Sequence, residues 1–256
     1  MSGKAPGTVS VERVGGRATI TWEHGPANVF DIPLLEELTH ALRREEVRGA
    51  HVVVLRGGGK GWSGGLSVED HLRPHVGAMF EAFHETLTTL WNLPAPTLAQ
   101  VHGRCLGGGM ELVMACDLAL ASEGATFGQP EIRLGVFAPF GAATYSLLLG
   151  ARPAAELLFV GTPFDAQRAA LVGIVNRVVP EETLDASVAL LAQTLCSHRR
   201  EALRWLKQEL HRSELDPWSR LAHAEKTYLN ELMASDDAEE GLRAFLEKRT
   251  PVWKVG

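Results

Sequence analysis

The sequence is poor in cysteine and contains no long apolar run. Its 256 residues include three cysteines, Cys105, Cys116 and Cys196, at unrelated spacings. This pattern fits neither a disulfide framework nor paired zinc ligands, so we expect reduced thiols. No window approaches the about 18 apolar residues of a membrane span, and the N-terminus has no signal-peptide-like apolar segment. We therefore expect a soluble, cytoplasmic protein with no membrane partner.

An excess of basic residues is also missing. The chain has 25 Lys and Arg against 31 Asp and Glu, which gives a formal net charge of −6. Nucleic-acid-binding proteins usually present a basic surface, because neutralising phosphates drives their affinity. We therefore expect no nucleic-acid partner. At 45% hydrophobic residues, the composition is that of a globular protein and excludes a disordered or fibrous one.

Strand and helix patterns alternate along most of the chain. The apolar periodicity predicts a hairpin around Gly15, a helix from Leu34 to Leu42, a second helix at 76–92, and strands at 52–55, 97–101 and 117–121. From about residue 181 only helical patterns follow, with Pro217 and the Ser235–Asp237 cluster as breaks and caps. We predict an α/β core over residues 1–195 and a helical region over residues 196–256.

The spacing of the glycine-rich segment at 57–65 matches two known sequence motifs, one for dinucleotide binding and one for a catalytic serine. Residues 59–64 fit G-x-G-x-x-G, and residues 61–65 fit G-x-S-x-G with Ser63 as the nucleophile. A dinucleotide loop must open a helix directly after its strand, and a nucleophile elbow needs a strand immediately before it. Neither context is present, so a turn is the better interpretation of both patterns.

The histidines give no metal-binding pattern. His71 and His75 are the one pair at i and i+4, and Pro74 lies between them. The sequence contains no H-E-x-x-H motif. We therefore predict exposed or capping histidines and no metal site.

The strongest chemical signal is the segment that begins with Gly107-Gly108-Gly109. Three glycines at the start of a helix permit close approach of a ligand and leave N–H groups free at the positive end of the helix. Glu111 follows among apolar neighbours, where a carboxylate is costly unless it is paired or used. This arrangement predicts a site for developing negative charge.

A second carboxylate, Glu131, follows Pro130 among glycines and apolar residues. Alone it would be interpreted as a charge at a helix N-terminus. Together with Glu111 it makes a plausible acid–base pair, because two carboxylates in one apolar pocket shift each other's protonation.

Over residues 8–250 the sequence resembles the enoyl-CoA hydratase/isomerase, or crotonase, superfamily. Five motifs carry the resemblance, in the family's order: Trp62-Ser-Gly-Gly-Leu66, His102-Gly-Arg-Cys-Leu-Gly-Gly-Gly-Met-Glu111, Ala115-Cys-Asp-Leu118, Phe127-Gly-Gln-Pro-Glu131 and Gly173-Ile-Val-Asn-Arg-Val178. The resemblance implies a spiral of ββα units with a C-terminal helical region that trimerises, as a homotrimer or a dimer of trimers.

The same resemblance implies residue roles. The backbone N–H groups of Leu66 and Gly108 would form an oxyanion hole for a thioester enolate. Glu111 would activate water and Glu131 would protonate the α-carbon. The expected substrate and CoA contacts are Trp62, Gly64, Gly65, Ser67, Val68, Phe137 and Phe140.

Three segments depart from the usual hydratase pattern. They are Gly64-Gly-Leu-Ser67, Val136-Phe-Ala-Pro-Phe-Gly141 and Ala27-Asn-Val-Phe-Asp31. With Val68-Glu-Asp-His71, the last two resemble the branch that hydrates cyclic dienoyl-CoA thioesters, the cyclohexa-1,5-diene-1-carbonyl-CoA hydratases of aromatic degradation. The apolar 136–140 segment is expected to form a stiff wall beside Glu131.

The sequence thus predicts a lyase that hydrates a C=C bond conjugated to a CoA thioester, with an acyl-CoA substrate and no metal or other cofactor. Two alternatives stay open. One is an enoyl-CoA double-bond isomerase that uses one of the same carboxylates. The other is a non-catalytic acyl-CoA-binding protein, because a fold alone does not carry activity.

Overall fold

The computed structural model describes residues 7–211 and 217–253. Its strands, in chain order, are β1 Thr8–Val14, β2 Arg17–Glu23, β3 Val52–Gly57, β4 Thr97–Val101, β5 Arg104–Leu106, β6 Leu118–Ser122, β7 Thr126–Gly128, β8 Phe164–Asp165 and β9 Arg177–Val179. They form a six-stranded sheet in the order β1-β2-β3-β4-β6-β9 and a three-stranded sheet in the order β5-β7-β8.

The helices surround these sheets. In chain order they are α1 Ile32–Arg43, α2 Glu45–Arg48, α3 Val68–His71, α4 Val76–Trp91, α5 Gly108–Met114, α6 Pro139–Leu148, α7 Ala151–Val160, α8 Ala166–Leu171, α9 Leu184–Cys196, α10 Arg200–His211, α11 Pro217–Asn230 and α12 Asp236–Leu246. Short 3-10 helices occur at Pro130–Leu134, Glu181–Thr183 and Leu232–Ala234.

The large sheet is an antiparallel hairpin continued by parallel strands. β1 and β2 pair antiparallel, and β2, β3, β4, β6 and β9 follow in parallel. Residues 52–55 of β3 are buried on both faces, as expected for a parallel sheet covered by helices. The predicted α/β fold is confirmed. The strand predicted at 117–121 begins one residue later, at Leu118.

The small sheet determines where the two glutamates lie. β5 and β7 pair in parallel, with Leu106 opposite Gly128. Neighbouring parallel strands end at the same edge of a sheet, so the segments that follow them start side by side. Glu111 follows β5 on α5, and Glu131 follows β7 on the 3-10 helix. The topology therefore brings together two carboxylates that are 20 residues apart in sequence.

The C-terminal helices are continuous with the core. α9 packs Leu184 and Val188 against one face of the large sheet, and Leu221 of α11 belongs to the main apolar core. The boundary predicted between residues 195 and 196 falls in the last turn of α9. Leu221 of α11 joins the core that the strands form, and the division into a core over residues 1–195 and a helical region over residues 196–256 stays a prediction.

Candidate active site

A cavity of about 450 Å³ lies between the glycine-rich loop, the start of α5 and the C-terminal segment. Its walls are largely apolar and include Leu66, Val68, Leu134, Val136 and Phe245, with Glu131 among them. A larger hollow of about 980 Å³ lies between the ends of α4 and α10, where most of the lining side chains are polar or charged. Neither glutamate lines that hollow, so the smaller cavity is the candidate site.

Glu111 is buried on α5, with 2% of its surface exposed. Its Oε1 accepts a hydrogen bond of 2.8 Å from the N–H of Gly141, in the first turn of α6. Burial raises the pKa of Glu111, and the nearby charge of Glu131 raises it further. The N–H of Gly141 acts against this shift, because it stabilises the ionised carboxylate.

Glu131 is held by a short polar chain. Its Oε1 accepts a hydrogen bond of 3.2 Å from Nε2 of Gln129, whose own Oε1 accepts one of 2.8 Å from the Tyr145 hydroxyl. Its Oε2 is enclosed and has no hydrogen-bond partner among the residues described. Burial raises the pKa of Glu131.

The proximity of the two carboxylates determines their protonation. Burial disfavours the charged form of each, and a second negative charge nearby disfavours double ionisation. Both effects raise the pKa values, so they favour a state of the pair in which one carboxylate keeps its proton. One carboxylate is then a base while the other is an acid, which is the arrangement that general acid–base catalysis requires.

The backbone N–H of Leu66 points away from the segment around Phe30, with which Leu66 is paired. Leu66 forms a parallel bridge with Phe30, in which the carbonyl of Gly65 accepts from Phe30 and the N–H of Ser67 donates to Phe30. In a parallel bridge the central residue directs its own N–H to the opposite side. Within the described chain this N–H has no hydrogen-bond acceptor, and Leu66 lines the cavity.

The glycines at 107 and 108 allow this loop and α5 to meet. Gly107 has φ +53°, and a Cβ there would lie 2.6 Å from Oε1 of Glu131. A Cβ on Gly108 would lie 2.6 Å from Cγ of Leu66. Larger residues would therefore force the two segments apart. The N–H of Gly108, the first residue of α5, also has no acceptor in the ranges that the structure describes.

The side chain of Ser63 holds the glycine-rich loop in place through two hydrogen bonds. This side chain is buried, donates a hydrogen bond of 2.7 Å to the carbonyl of Asn28, and accepts one of 3.0 Å from the N–H of Gly65. Neither partner is a base. The side chain therefore has the environment of a structural serine rather than that of an activated nucleophile.

We expect Ser63→Ala to keep kcat within a few-fold of the wild-type value and to lower Tm. The substitution leaves a buried carbonyl and a buried N–H without their partner, which costs about 1–3 kcal/mol. Steady-state kinetics and thermal unfolding of the purified variant measure both effects. A well-folded but inactive Ser63→Ala protein would favour the hydrolase interpretation.

The structure distributes the predicted contact residues unequally. Gly64, Gly65 and Val68 line the cavity together with Leu66. Ser67 instead caps α3, accepting from the N–H of Asp70 at 3.3 Å, and lines a separate smaller hollow with His24 and Ala27.

The three predicted aromatic contacts lie elsewhere. Trp62 is fully buried, and its indole N–H donates to the carbonyl of Gly109 at 2.7 Å, so it braces the start of α5 rather than the cavity. Phe140 is buried in the first turn of α6, and Phe137 packs against Tyr228 with ring centroids 5.3 Å apart. Of the segment 136–140 that was expected to form a wall, Val136 lines the cavity. Residues 139 and 140 belong to the first turn of α6.

Four functional candidates were missed from the sequence. His71 lines the cavity, and its Nδ1 lies 2.8 Å from the carbonyl of Ser67; burial lowers its pKa. Gln129 and Tyr145 hold Glu131, and Tyr228 packs nearby. The available signal was position in the sequence: His71 and Gln129 lie in segments 68–71 and 127–131, which carry the resemblance, whereas the two tyrosines lie outside such segments.

The described residues show no membrane-length apolar helix and no metal-type cluster. Over residues 7–211 and 217–253, no helix is long and apolar enough to cross a bilayer. The same ranges contain no group of three or more His, Cys, Asp or Glu side chains arranged to hold a metal ion.

The fold thus places two backbone N–H groups that lack an acceptor among the described residues near a buried pair of carboxylates, an arrangement suited to acid–base chemistry. The sequence profile of the enoyl-CoA hydratase/isomerase family matches residues 13–256. The chain belongs to this family, as the sequence motifs predicted.

Known relatives agree with this assignment. The cyclohexa-1,5-dienecarbonyl-CoA hydratase of Thauera aromatica is 32% identical over 252 residues, which cover 98% of this chain and 97% of the relative. A probable enoyl-CoA hydratase of Mycobacterium bovis is 31% identical over 248 residues, with 95% and 96% of the two chains covered.

A crystal structure of the enoyl-CoA hydratase of Bacillus anthracis is 29% identical, with a TM-score of 0.76 and coverage of 96% of this chain and 98% of that one. The predicted crotonase fold and the predicted enoyl-CoA hydratase enzyme are thus confirmed.

Proposed function

We propose that the protein adds water across a C=C bond conjugated to a CoA thioester, with Leu66 and Gly108 binding the thioester carbonyl. The observation that carries this proposal is geometric: Leu66 and Glu131 line one cavity, and Gly108 and the buried Glu111 lie in the first turn of α5, which begins at its edge. The N–H groups of Leu66 and Gly108 have no acceptor among the described residues. Water addition needs a base, an acid and a site for the enolate oxygen, and these residues supply all three.

The hydrogen bonds suggest which carboxylate is the base. Glu111 accepts the N–H of Gly141 at the N-terminus of α6, where the helix dipole favours negative charge. In the proposed step Glu111 takes a proton from water, and the water oxygen bonds to the β-carbon. The π electrons move to the carbonyl oxygen, which Leu66 and Gly108 bind. Glu131 then donates its proton to the α-carbon.

The proposed reaction needs no redox cofactor, because water addition transfers no electrons to an external acceptor. It is also proposed to need no metal, because Leu66 and Gly108 would bind the enolate oxygen and Glu111 would activate the water. CoA takes part as a component of the substrate. The proposal is tested by following the loss of enoyl absorbance with a panel of acyl-CoA thioesters. Isotope-labelled water distinguishes hydration, which incorporates the label as a hydroxyl group, from isomerisation, which does not. A protein that only binds the thioesters would change neither signal.

We expect a higher kcat/KM for a cyclic dienoyl-CoA than for crotonyl-CoA. The apolar cavity wall at Leu134 and Val136 suits a compact ring, and a relative of similar length is named for a cyclic dienoyl substrate. Burying an apolar ring face contributes about 25 cal/mol per Å², so a good fit yields one to a few kcal/mol of discrimination.

Both substrates should be compared on the same enzyme preparation, with kcat and KM determined separately. A tenfold or greater preference for crotonyl-CoA would overturn the cyclic assignment. The protein would then be a general short-chain enoyl-CoA hydratase.

The assembly that we propose is a homotrimer or a dimer of trimers. Large apolar side chains are exposed on α7, α8 and α10, among them Phe159 and Leu171 (each 77% exposed) and Leu210 (72%). Where such side chains form one contiguous patch, a partner typically covers it. Light scattering on the purified protein measures the assembly. A cytoplasmic location stays a prediction.

A further inference from the structure

Tyr228 carries a buried hydroxyl group that the proposed mechanism has not used. The residue lies on α11 and is fully buried, with its ring against Phe80 (centroids 4.6 Å apart) and Phe137 (5.3 Å). Its hydroxyl oxygen is enclosed and has no hydrogen-bond partner among the described residues. A buried polar group without a partner is rare in native proteins and needs an explanation.

The surroundings of Tyr228 connect it to the active-site cavity. It belongs to an apolar cluster that also contains Val136, and Leu66 and Val68 pack against this cluster. These three residues line the cavity. Tyr228 therefore belongs to the same apolar cluster as residues of the cavity wall.

The charges that face Tyr228 are those of the catalytic pair. Burial raises the pKa of the Tyr228 hydroxyl, and the negative charges of Glu131 and Glu111 raise it further. The group therefore stays protonated and is a hydrogen-bond donor. Oε2 of Glu131 is likewise enclosed, and it too has no hydrogen-bond partner within residues 7–211 and 217–253. A donor and an acceptor that lack partners in the described chain thus occur close enough for their charges to interact.

The other tyrosine shows that the fold can satisfy such a group. Tyr145 is equally buried, but its hydroxyl donates to Oε1 of Gln129 at 2.8 Å. Phenylalanine would fill the same apolar space at 228 without an unpaired hydroxyl, since the ring contacts are with Phe80 and Phe137. Packing alone therefore does not explain a tyrosine at this position.

We propose that Tyr228 is a third catalytic side chain, whose hydroxyl donates a hydrogen bond to the oxygen atom that is added to the double bond. This rests on the proposed function. A water molecule has two hydrogens and two lone pairs. The water would donate one hydrogen bond to Glu111 and one to Glu131, and it would accept one from Tyr228. Its remaining lone pair would then point at the β-carbon. No further bond is made or broken: the tyrosine keeps its proton while Glu111 takes one from the water.

Tyr228→Phe tests this proposal, because it removes the hydroxyl group and keeps the aromatic ring. We expect kcat for hydration to fall about tenfold, the effect of one hydrogen bond made to the reacting oxygen, with KM changed less than threefold. Tm should not fall, because the hydroxyl removed has no hydrogen-bond partner in the part of the chain that the structure describes. Tyr145→Phe is the matched control for folding and should lower Tm, since it breaks a buried hydrogen bond.

A second measurement separates water positioning from an effect on Glu131. Exchange of the α-hydrogens of a saturated acyl-CoA in deuterated water uses Glu131 and the oxyanion hole but adds no water. We expect Tyr228→Phe to keep the wild-type exchange rate. Unchanged hydration, an equal loss of exchange, or a fall in Tm as large as that of Tyr145→Phe would each overturn the proposal. Wild-type hydration is measured in the same assay, so failure of the proposed function would appear as an inactive wild-type protein.

Discussion

Glu111→Gln and Glu131→Gln are each expected to lower kcat of hydration by about a hundredfold or more. Glutamine keeps the size of the side chain and can still accept the hydrogen bonds from Gly141 or Gln129, but it can neither take up nor release a proton. Substrate binding should be largely retained, because the cavity walls and the free N–H groups are unchanged. The loss should therefore be in kcat rather than in the affinity for the thioester.

Kinetics and direct binding of a saturated acyl-CoA measure these two effects separately. Glu156→Gln is a suitable control, because Glu156 is an exposed carboxylate on α7 that pairs with Arg168, and neither residue lines the cavity. It should leave both kcat and binding unchanged. If both active-site variants retained near-normal turnover, the carboxylate pair would be structural and the proposed mechanism would fail.

The carboxylate pair was predictable because each member has a local signal. Glu111 lies among apolar residues after three glycines, and Glu131 follows a proline in a glycine-rich segment. The parallel pairing of β5 and β7 then brings the two segments together. Each of these strands has only three residues, which is too short for a periodic pattern to reveal in the sequence.

The aromatic contacts were harder to predict, because neighbours in sequence can point to different places. Trp62 lies within the glycine-rich loop, but its ring packs against Trp22 with centroids 4.7 Å apart. Phe140 was expected in a stiff wall, but it lies in the first turn of α6. That helix begins at Pro139, a position that proline favours. The start of that helix places the N–H of Gly141 on Glu111, so this segment acts through its backbone.

Tyr228 could not be placed from the sequence, because its partners come from distant segments. Phe80 lies on α4 and Phe137 precedes α6. One sequence gives no information about contacts between elements so far apart. The helical pattern after residue 181 predicted that helices would be present, but not that α11 would pack against the cluster behind the cavity.

Leu66→Pro is expected to lower kcat by about 10²–10³-fold, whereas Leu66→Ala should have a mild effect. Proline has no N–H, so it removes one of the two donors to the thioester oxygen, while alanine keeps that donor and shortens only the side chain. The distinction follows from the bridge to Phe30, which uses Gly65 and Ser67 and leaves the N–H of Leu66 without an acceptor in residues 7–211 and 217–253. In these ranges neither variant therefore loses a backbone hydrogen bond donated by residue 66.

Proline can also distort the loop, so kinetics must be accompanied by a measure of folding. Thermal unfolding and saturated acyl-CoA binding show whether Leu66→Pro keeps the native loop, which holds Ser63 and Gly65 in their hydrogen bond. The oxyanion role requires a protein that folds and binds but turns over slowly, because an oxyanion hole stabilises the transition state more than the bound substrate. If the proline and alanine variants were equally active, the N–H of Leu66 would have no part in the reaction.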